Sequence, residues 1–412
     1  MRRIVHMLAA LLILSEDSGG QVVPPQQLSF LGENAKPVCT DEKVLNTQWD
    51  YIIKYVKDKK IILIGEPNHG SKEIFLLRND LVQFLHEKLG FNAILFESGI
   101  GELSVADLNR EELSAAQMTY GFFSGWRTKE FRDLMEYVKS ENIHISGFDS
   151  QRTGNSFSQL LTGIAKRKNM DTDFYNTIEE RYGQTQRELS NTKAIYDSVQ
   201  PKTVQLIADY RRIHALLMEN NAAGYSAALA FSLRTIMNRI DYLQYMLRFI
   251  KDHNWNNRWA ARDAAMADNI KWLADTVYKN EKLIIVAHNY HVARYNENEQ
   301  VMGEMLVPWF DKEMYAIGIF AGAGVYADNA GKEKKIVAPD SANLDIKHII
   351  SSLPAFASYL TIPKKKDKGS GWLYEDITVN DTFIDLKGSD KMILAKHFDG
   401  LLLVKKISLP DK

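Results

Sequence analysis

Hydrophobic residues along this chain fall into two patterns. Short, unbroken apolar runs rich in Ile, Val, Leu and Phe occur at Lys60–Ile64, Ala93–Phe96, Ile143–Phe148, Leu283–Ala287, Tyr315–Phe320 and Leu401–Val404. Runs of this length without polar alternation predict strands buried on both faces. Between them, apolar residues recur at helical spacing. The clearest such segment follows Ser71, a candidate cap, and carries Ile74, Leu77, Leu81, Phe84 and Leu85 on one stripe, with Gly90 as its stop. Strands alternating with helices predict an α/β fold, a mostly parallel central sheet flanked by helices.

The alternation breaks between Ser156 and Asn280, where strand signal vanishes and Thr203–Glu219 and Ala227–Ile250 predict long helices. We read 156–280 as a large all-helical insertion, a lid overhanging one end of the sheet. The α/β core then spans 45–155 and 281–412, finished by a second β-rich stretch from Ile336 to Val404, with an N-terminal extension over 21–44. Residues 1–20 have the layout of a secretory signal peptide: Met1-Arg2-Arg3, an apolar run from Ile4 to Leu14, then Ser18-Gly19-Gly20. This predicts export to the periplasm or medium; without cleavage and export the protein would be cytoplasmic. No later stretch reaches the roughly 18 apolar residues of a membrane helix, so no membrane span is expected.

Composition narrows the partners. The chain has 412 residues, 45% hydrophobic and 25% charged, with a formal net charge of −1. These are the proportions of an ordinary globular protein, and no basic stripe points to nucleic acid. The single cysteine, Cys39, excludes an intramolecular disulfide and a multi-cysteine metal site. Nothing in the chain fixes an oligomeric state.

Candidate chemistry lies where the apolar runs stop. They end in Glu66, Glu97, Asp149 and His288. Sites in parallel sheets form beyond the carboxyl ends of the strands, so four such ends predict one polar site. The first turn reads Gly65-Glu66-Pro67-Asn68-His69-Gly70, and its Pro and Gly make it a loop, not a helical zinc motif. His69 precedes a helix N-terminus, whose dipole favours the neutral imidazole that a general base for water needs. Arg78 falls on the apolar stripe of its helix, four residues after Ile74, so it must be paired with a carboxylate, Glu66 or Glu97. His288-Asn289-Tyr290-His291 spaces two imidazoles that could polarise a carbonyl or shuttle a proton. Glu66, His69, His288 and His291 could alternatively bind a divalent metal, which would activate the water; otherwise no cofactor is expected. Arg258, Arg262 and Asp263 read as solvated helix-face residues of second rank, and Glu97, Asp149, Trp126 and Arg262 are kept as substrate-binding or supporting residues.

These motifs resemble the erythromycin esterase family. The resemblance runs from Gly65–Gly70 through Phe75, Leu77 and Arg78, Phe96-Glu97-Ser98, Trp126 and Glu130, and Gly147-Phe148-Asp149. It continues at Arg262-Asp263, Met266-Ala267-Asp268-Asn269, Ala287–Val292 and His397-Phe398-Asp399-Gly400, covering about residues 45 to 405. It implies a carboxylic ester hydrolase that opens a macrolactone, as in macrolide antibiotic resistance, or another small-molecule ester with activated water and no acyl-enzyme. His69 would be the general base and Glu66 its partner. Arg78 would support the carboxylates, and His288 and His291 would contact the ester or its leaving alkoxide. The absence of a G-x-S-x-G elbow argues against a serine nucleophile. The rival from another class is a non-catalytic binding or cell-surface assembly protein, with Phe122, Phe123 and Trp126 as aromatic contacts or simply as core.

Overall fold

The computed structural model describes residues 23–40, 48–167, 169–191, 193–219, 226–253, 256–379 and 391–412, with the side chains of 256–259, Arg258 among them, left aside. The expected signal segment, 1–20, lies outside these residues.

All six apolar runs are strands. In chain order the sheet comprises Lys36–Val38 (β1), Ile61–Glu66 (β2), Phe91–Gly99 (β3), His144–Asp149 (β4), Lys282–His288 (β5), Met314–Ala327 (β6), Glu333–Lys335 (β7), Ala357–Thr361 (β8) and Gly400–Ile407 (β9). Their hydrogen-bonded order is β1-β8-β9-β6-β2-β5-β3-β4, with β7 attached to β6. The six strands from the apolar runs pair in parallel. An antiparallel edge, β8 on β9 and β1 on β8, extends the sheet beyond them, and β7 folds back on β6. The stretch from Ile336 to Val404 is only partly β: the helix Ile346–Ser352 stands between its strands.

Burial explains the runs. Along β2, Ile61 and Leu63 enter the hydrophobic core on one face of the sheet, and Ile62 and Ile64 enter the core on the other. Side chains alternate across a strand, so a strand covered on both faces must be apolar at every position. The crossover helix Lys72–Leu89 (α1) supplies Ile74, Leu77, Leu81 and Leu85 to the second core. It ends at Gly90, whose φ of 70° is the left-handed conformation that glycine adopts without strain. Ser71 precedes the helix, but its hydroxyl donates to Asn68 Oδ1 (2.6 Å) and does not cap it.

Between β3 and β4 stand Ile100–Leu108 (α2) and Lys129–Ser140 (α3), and between β4 and β5 stand Ser156–Arg167 (α4), Thr172–Leu189 (α5), Tyr196–Glu219 (α6), Ala227–Asp252 (α7) and Asn256–Trp272 (α8). The described residues of 156–272 contain no strand. Four of these helices, α4 to α7, share a third core around Phe157, Tyr182, Tyr210 and Leu243, whereas α8 gives Met266 and Ile270 to the sheet. Buried Arg239 on α7 ties the two parts together, donating to Ser150 O (2.5 Å) after β4 and to Glu102 Oε1 (3.1 Å) on α2. No helix among the described residues is long and apolar enough to cross a membrane.

One glycine is dictated by packing. A Cβ on Gly65 would lie 2.1 Å from Asn289 Oδ1 and 3.1 Å from Ile317 O. The Asn289 amide is itself fixed, donating to Ile319 O (2.6 Å) and accepting from Ile319 N–H (3.0 Å). Gly65→Ala should therefore cost about 1–3 kcal/mol, as overpacking does, and show as an earlier midpoint in urea unfolding. An unchanged midpoint would mean that the Asn289 contact yields freely.

Candidate functional site

Four adjacent strands, β2, β5, β3 and β4, end at the same edge, and in that order they deliver Glu66, His288, Glu97 and Asp149. Glu66 and His288 are register partners, and the pairing of β3 with β4 shifts between Phe96 and Gly99, beside Glu97. Such irregularities re-aim side chains at strand ends.

Glu66 is fully buried and engaged on both oxygens. Oε1 accepts from His69 Nδ1 (2.6 Å), and Oε2 accepts from Arg78 Nη1 (2.6 Å). Because the carboxylate can only accept, the proton on His69 sits on Nδ1, and in the neutral ring Nε2 keeps its lone pair. Nε2 has no hydrogen-bond partner among the described residues, and the ring lines a cavity. The ring is packed edge-on against Trp126 (centroids 5.3 Å apart) and against His288 (5.8 Å). Arg78 itself is buried among aromatic faces, 4.7 Å from the Phe75 ring centre and 5.4 Å from that of Phe131. It pairs with Glu66 alone of the two carboxylates anticipated for it.

The expected effect of the helix dipole on His69 is overturned. Burial opposes a charge on the ring, but the hydrogen bond and the charge of Glu66 outweigh burial, and the pKa stands above 6.5. The short bond to a carboxylate acts at closer range than the first turn of α1.

A second cluster centres on Arg262. Its Nε lies 3.2 Å from both oxygens of Asp149, and its Nη2 donates to Asp149 Oδ2 (2.5 Å) and Glu97 Oε1 (2.7 Å). This corrects its reading as a solvated helix-face residue, because its side chain is only 10% exposed. His291 adjoins it. Nδ1 donates to Asp263 Oδ1 (2.8 Å), and Nε2 lies 3.3 Å from Glu97 Oε1 and 3.2 Å from Arg262 Nη1. Burial again opposes charge, but Asp263 and Glu97 lift the His291 pKa to about 10, so the ring is an imidazolium at neutral pH. Glu97 in turn is disfavoured as an anion by burial but held well below the usual carboxylate range by His291 and Arg262. Two cations side by side are thus balanced by Asp149, Glu97 and Asp263.

His288 differs from both other imidazoles. Its Nε2–H donates to Pro67 O (2.9 Å), Nδ1 accepts from Tyr290 N–H (3.3 Å), and its own backbone N–H donates to Glu97 Oε2 (2.9 Å). Burial and the neighbouring His69 push its pKa down to about 3. With both ring nitrogens spent on backbone, it is placed to hold the Pro67 turn rather than to move a proton.

The same hydrogen bonds bear on the metal alternative. Glu66, His288 and His291 have their ligating atoms committed to protein partners, and among the described residues no group of three or more His, Cys, Asp or Glu is disposed to hold a metal ion. Glu66, His69, His288 and His291 therefore do not fit a shared ligand set in this arrangement.

The cavity has a volume of about 410 Å³ and is walled by His69, Glu97, Arg262, His288 and His291 together with Phe123, Ser124, Gly125, Gln151, Tyr290 and Asn329. Phe122 and Trp126 are buried core, and of the three aromatics only Phe123 reaches the cavity. Asn329 arrives from the turn between β6 and β7, and Gln151 from the loop after β4. These wall residues come from separate loops and carry no common spacing, so the sequence offered no sign of them.

The arrangement can bind a carbonyl near two cations and present it with an imidazole base. Comparison with known proteins points to a family and to the hydrolase class. The family model described as erythromycin esterase matches residues 86–407. The chain is 27% identical over 396 residues to the Bacillus subtilis (strain 168) protein named "Putative hydrolase YbfO", covering 88% of this chain and 87% of that one. It is 25% identical over 263 residues to "Erythromycin esterase type II" of Escherichia coli, covering 58% of this chain and 62% of the other. A solved structure of a Bacillus cereus protein superposes with a TM-score of 0.75 at 20% identity, over 94% of this chain and 98% of that one. At that identity it speaks for the fold alone.

Proposed function

The chain belongs to the erythromycin esterase family, and from that premise we propose that it hydrolyses a carboxylic ester or lactone with a water molecule activated by His69. Family membership and a relative named as a hydrolase support the hydrolase class. The observation that carries the finer reading is the pairing of His69 Nδ1 with Glu66, which leaves Nε2 to the cavity.

In this reading Nε2 takes a proton from water as the oxygen attacks the ester carbon. The imidazolium formed is stabilised by Glu66, which Arg78 holds in place through its second oxygen. Charge growing on the carbonyl oxygen is met by the field of Arg262 and His291, cations held in place by Asp149, Glu97 and Asp263; preorganised cations of this kind stabilise an oxyanion without reorganisation. When the acyl carbon–oxygen bond breaks, the His69 imidazolium returns its proton to the leaving alkoxide, and acid and alcohol are released. His288 positions the turn that carries the base.

The test is incubation of the purified protein with a panel of macrolides and simple esters, with and without chelator, followed by mass. A gain of one water that survives chelation and is absent in His69→Ala supports the reading. Loss of turnover on chelation would return the metal set to first place. A His69→Ala variant indistinguishable from the parent on every ester would favour the binding-protein alternative.

The pH dependence has a definite sign. The base works when neutral, and its pKa is raised above 6.5, so the rate should fall as pH drops through a midpoint above 6.5. Glu66→Gln removes the charge that raises the pKa and should move that midpoint downward. A limb centred below 6.5 in the parent would contradict the His69–Glu66 pairing.

A further inference from the structure

A second cleft, about 550 Å³, opens beside the reaction cavity, and Gln151 belongs to the walls of both. It lies where the loop after β4 meets α5, and its side chains are polar: Arg152, Asn155, Gln186, Arg187 and Ser190. No carboxylate is among its described lining residues. Neither arginine lies within ion-pair distance of a described carboxylate. Arg152 spends Nε on Gly154 O (2.9 Å) and reaches Asn155 with Nη2, while Arg187 has no described hydrogen bond.

The two guanidinium groups converge. A Cβ on Gly183 would stand 3.0 Å from Nη1 of Arg152 and 3.6 Å from Nη1 of Arg187. The bare glycine thus leaves a floor between two like charges, of which Arg152 meets the buried Glu102 only beyond ion-pair distance and Arg187 has no described carboxylate partner. Like charges brought together repel, and a planar guanidinium matches a carboxylate or sulfate in a two-pronged fashion. The amides and hydroxyl around them suit vicinal hydroxyl groups.

We propose that this cleft seats the non-reacting part of the substrate, and that the substrate is an acyl ester of an anionic saccharide. The inference rests on the hydrolase reading for its reaction but not for its binding. It runs against a macrolide carrying an amine, whose ammonium would face Arg152 and Arg187.

The probes are acetylated oligogalacturonate and acetylated xylo-oligosaccharide, compared by acetate release, with erythromycin as a third substrate. The parent should prefer the anionic ester. The double variant Arg152→Gln, Arg187→Gln should lower the anionic-to-neutral ratio of kcat/KM by about tenfold or more, the worth of charge-assisted hydrogen bonds, mostly through KM. The exposed single variant Arg187→Gln, which breaks no described contact, should lower it in part and guards against a folding artefact. An unaltered ratio, or a preference for erythromycin, overturns the proposal. If no ester is turned over, the hydrolase reading fails, and calorimetry with trigalacturonate decides the cleft separately. Binding weakened in Arg187→Gln upholds it, and no binding by the parent overturns it.

Discussion

His69→Asn should lower kcat/KM for any ester the parent hydrolyses by about 10²–10⁴-fold, the usual contribution of a positioned acid–base group. Asparagine can still offer an N–H towards Glu66, so the buried carboxylate keeps a donor beside Arg78. The amide has no basic lone pair, however, and cannot take a proton from water. Unfolding in urea should therefore move little while turnover collapses, and residual turnover should lose the acidic limb of the pH profile. A variant with near-parental kcat/KM would remove His69 from the chemistry, whatever else the cavity does.

Arg262→Gln is the substitution with the largest expected effect on the fold. It leaves Asp149, Glu97 and Asp263 buried with His291 as the only cation in contact with the cluster among the described residues. Removing one partner of a buried ion pair costs about 3–5 kcal/mol because the remaining charge is stranded. The sign of its pH dependence follows from Glu97. In the parent its pKa is depressed, so it contributes stability above the unfolded carboxylate range and loses it as pH falls through the depressed value. Without Arg262 that depression shrinks, and a protonated Glu97 no longer needs the cation. The stability deficit of the variant should be greater at pH 8 than at pH 4, measured by urea unfolding of both proteins. Arg262→Lys restores the charge without the fork and should recover only part of the loss. A deficit independent of pH would show that packing, not charge, sets the role of Arg262.

The same residue shows where the sequence stops being legible. The sheet could be read because strands buried on both faces are apolar without interruption, and their polar ends then marked Glu66, Glu97, Asp149 and His288. Arg78 could be read because it interrupts an apolar stripe. Arg262 meets that same test, lying four residues before Met266 and eight before Ile270, both fully buried. In an alanine-rich helix start the stripe is faint, and the arginine passed for a surface residue. The short β1 pairs through its backbone at Lys36 to Val38, with two of three side chains exposed, so no apolar signal announced it. The roles of the three imidazoles were beyond reach for a different reason. His69, His288 and His291 differ only in what each ring nitrogen meets, and those partners, Glu66, Pro67 O and Asp263, are set by tertiary contacts.

The strand that carries Glu66 is shared between two cores, with Ile61 and Leu63 on one side and Ile62 and Ile64 on the other. Both cores therefore meet on this one strand, and β5 and β6 pair with it on its two edges. The position of Glu66 is then set from both faces of the sheet at once. Those flanking strands come far later in the chain, so the place of Glu66 is completed by partners synthesised long after it.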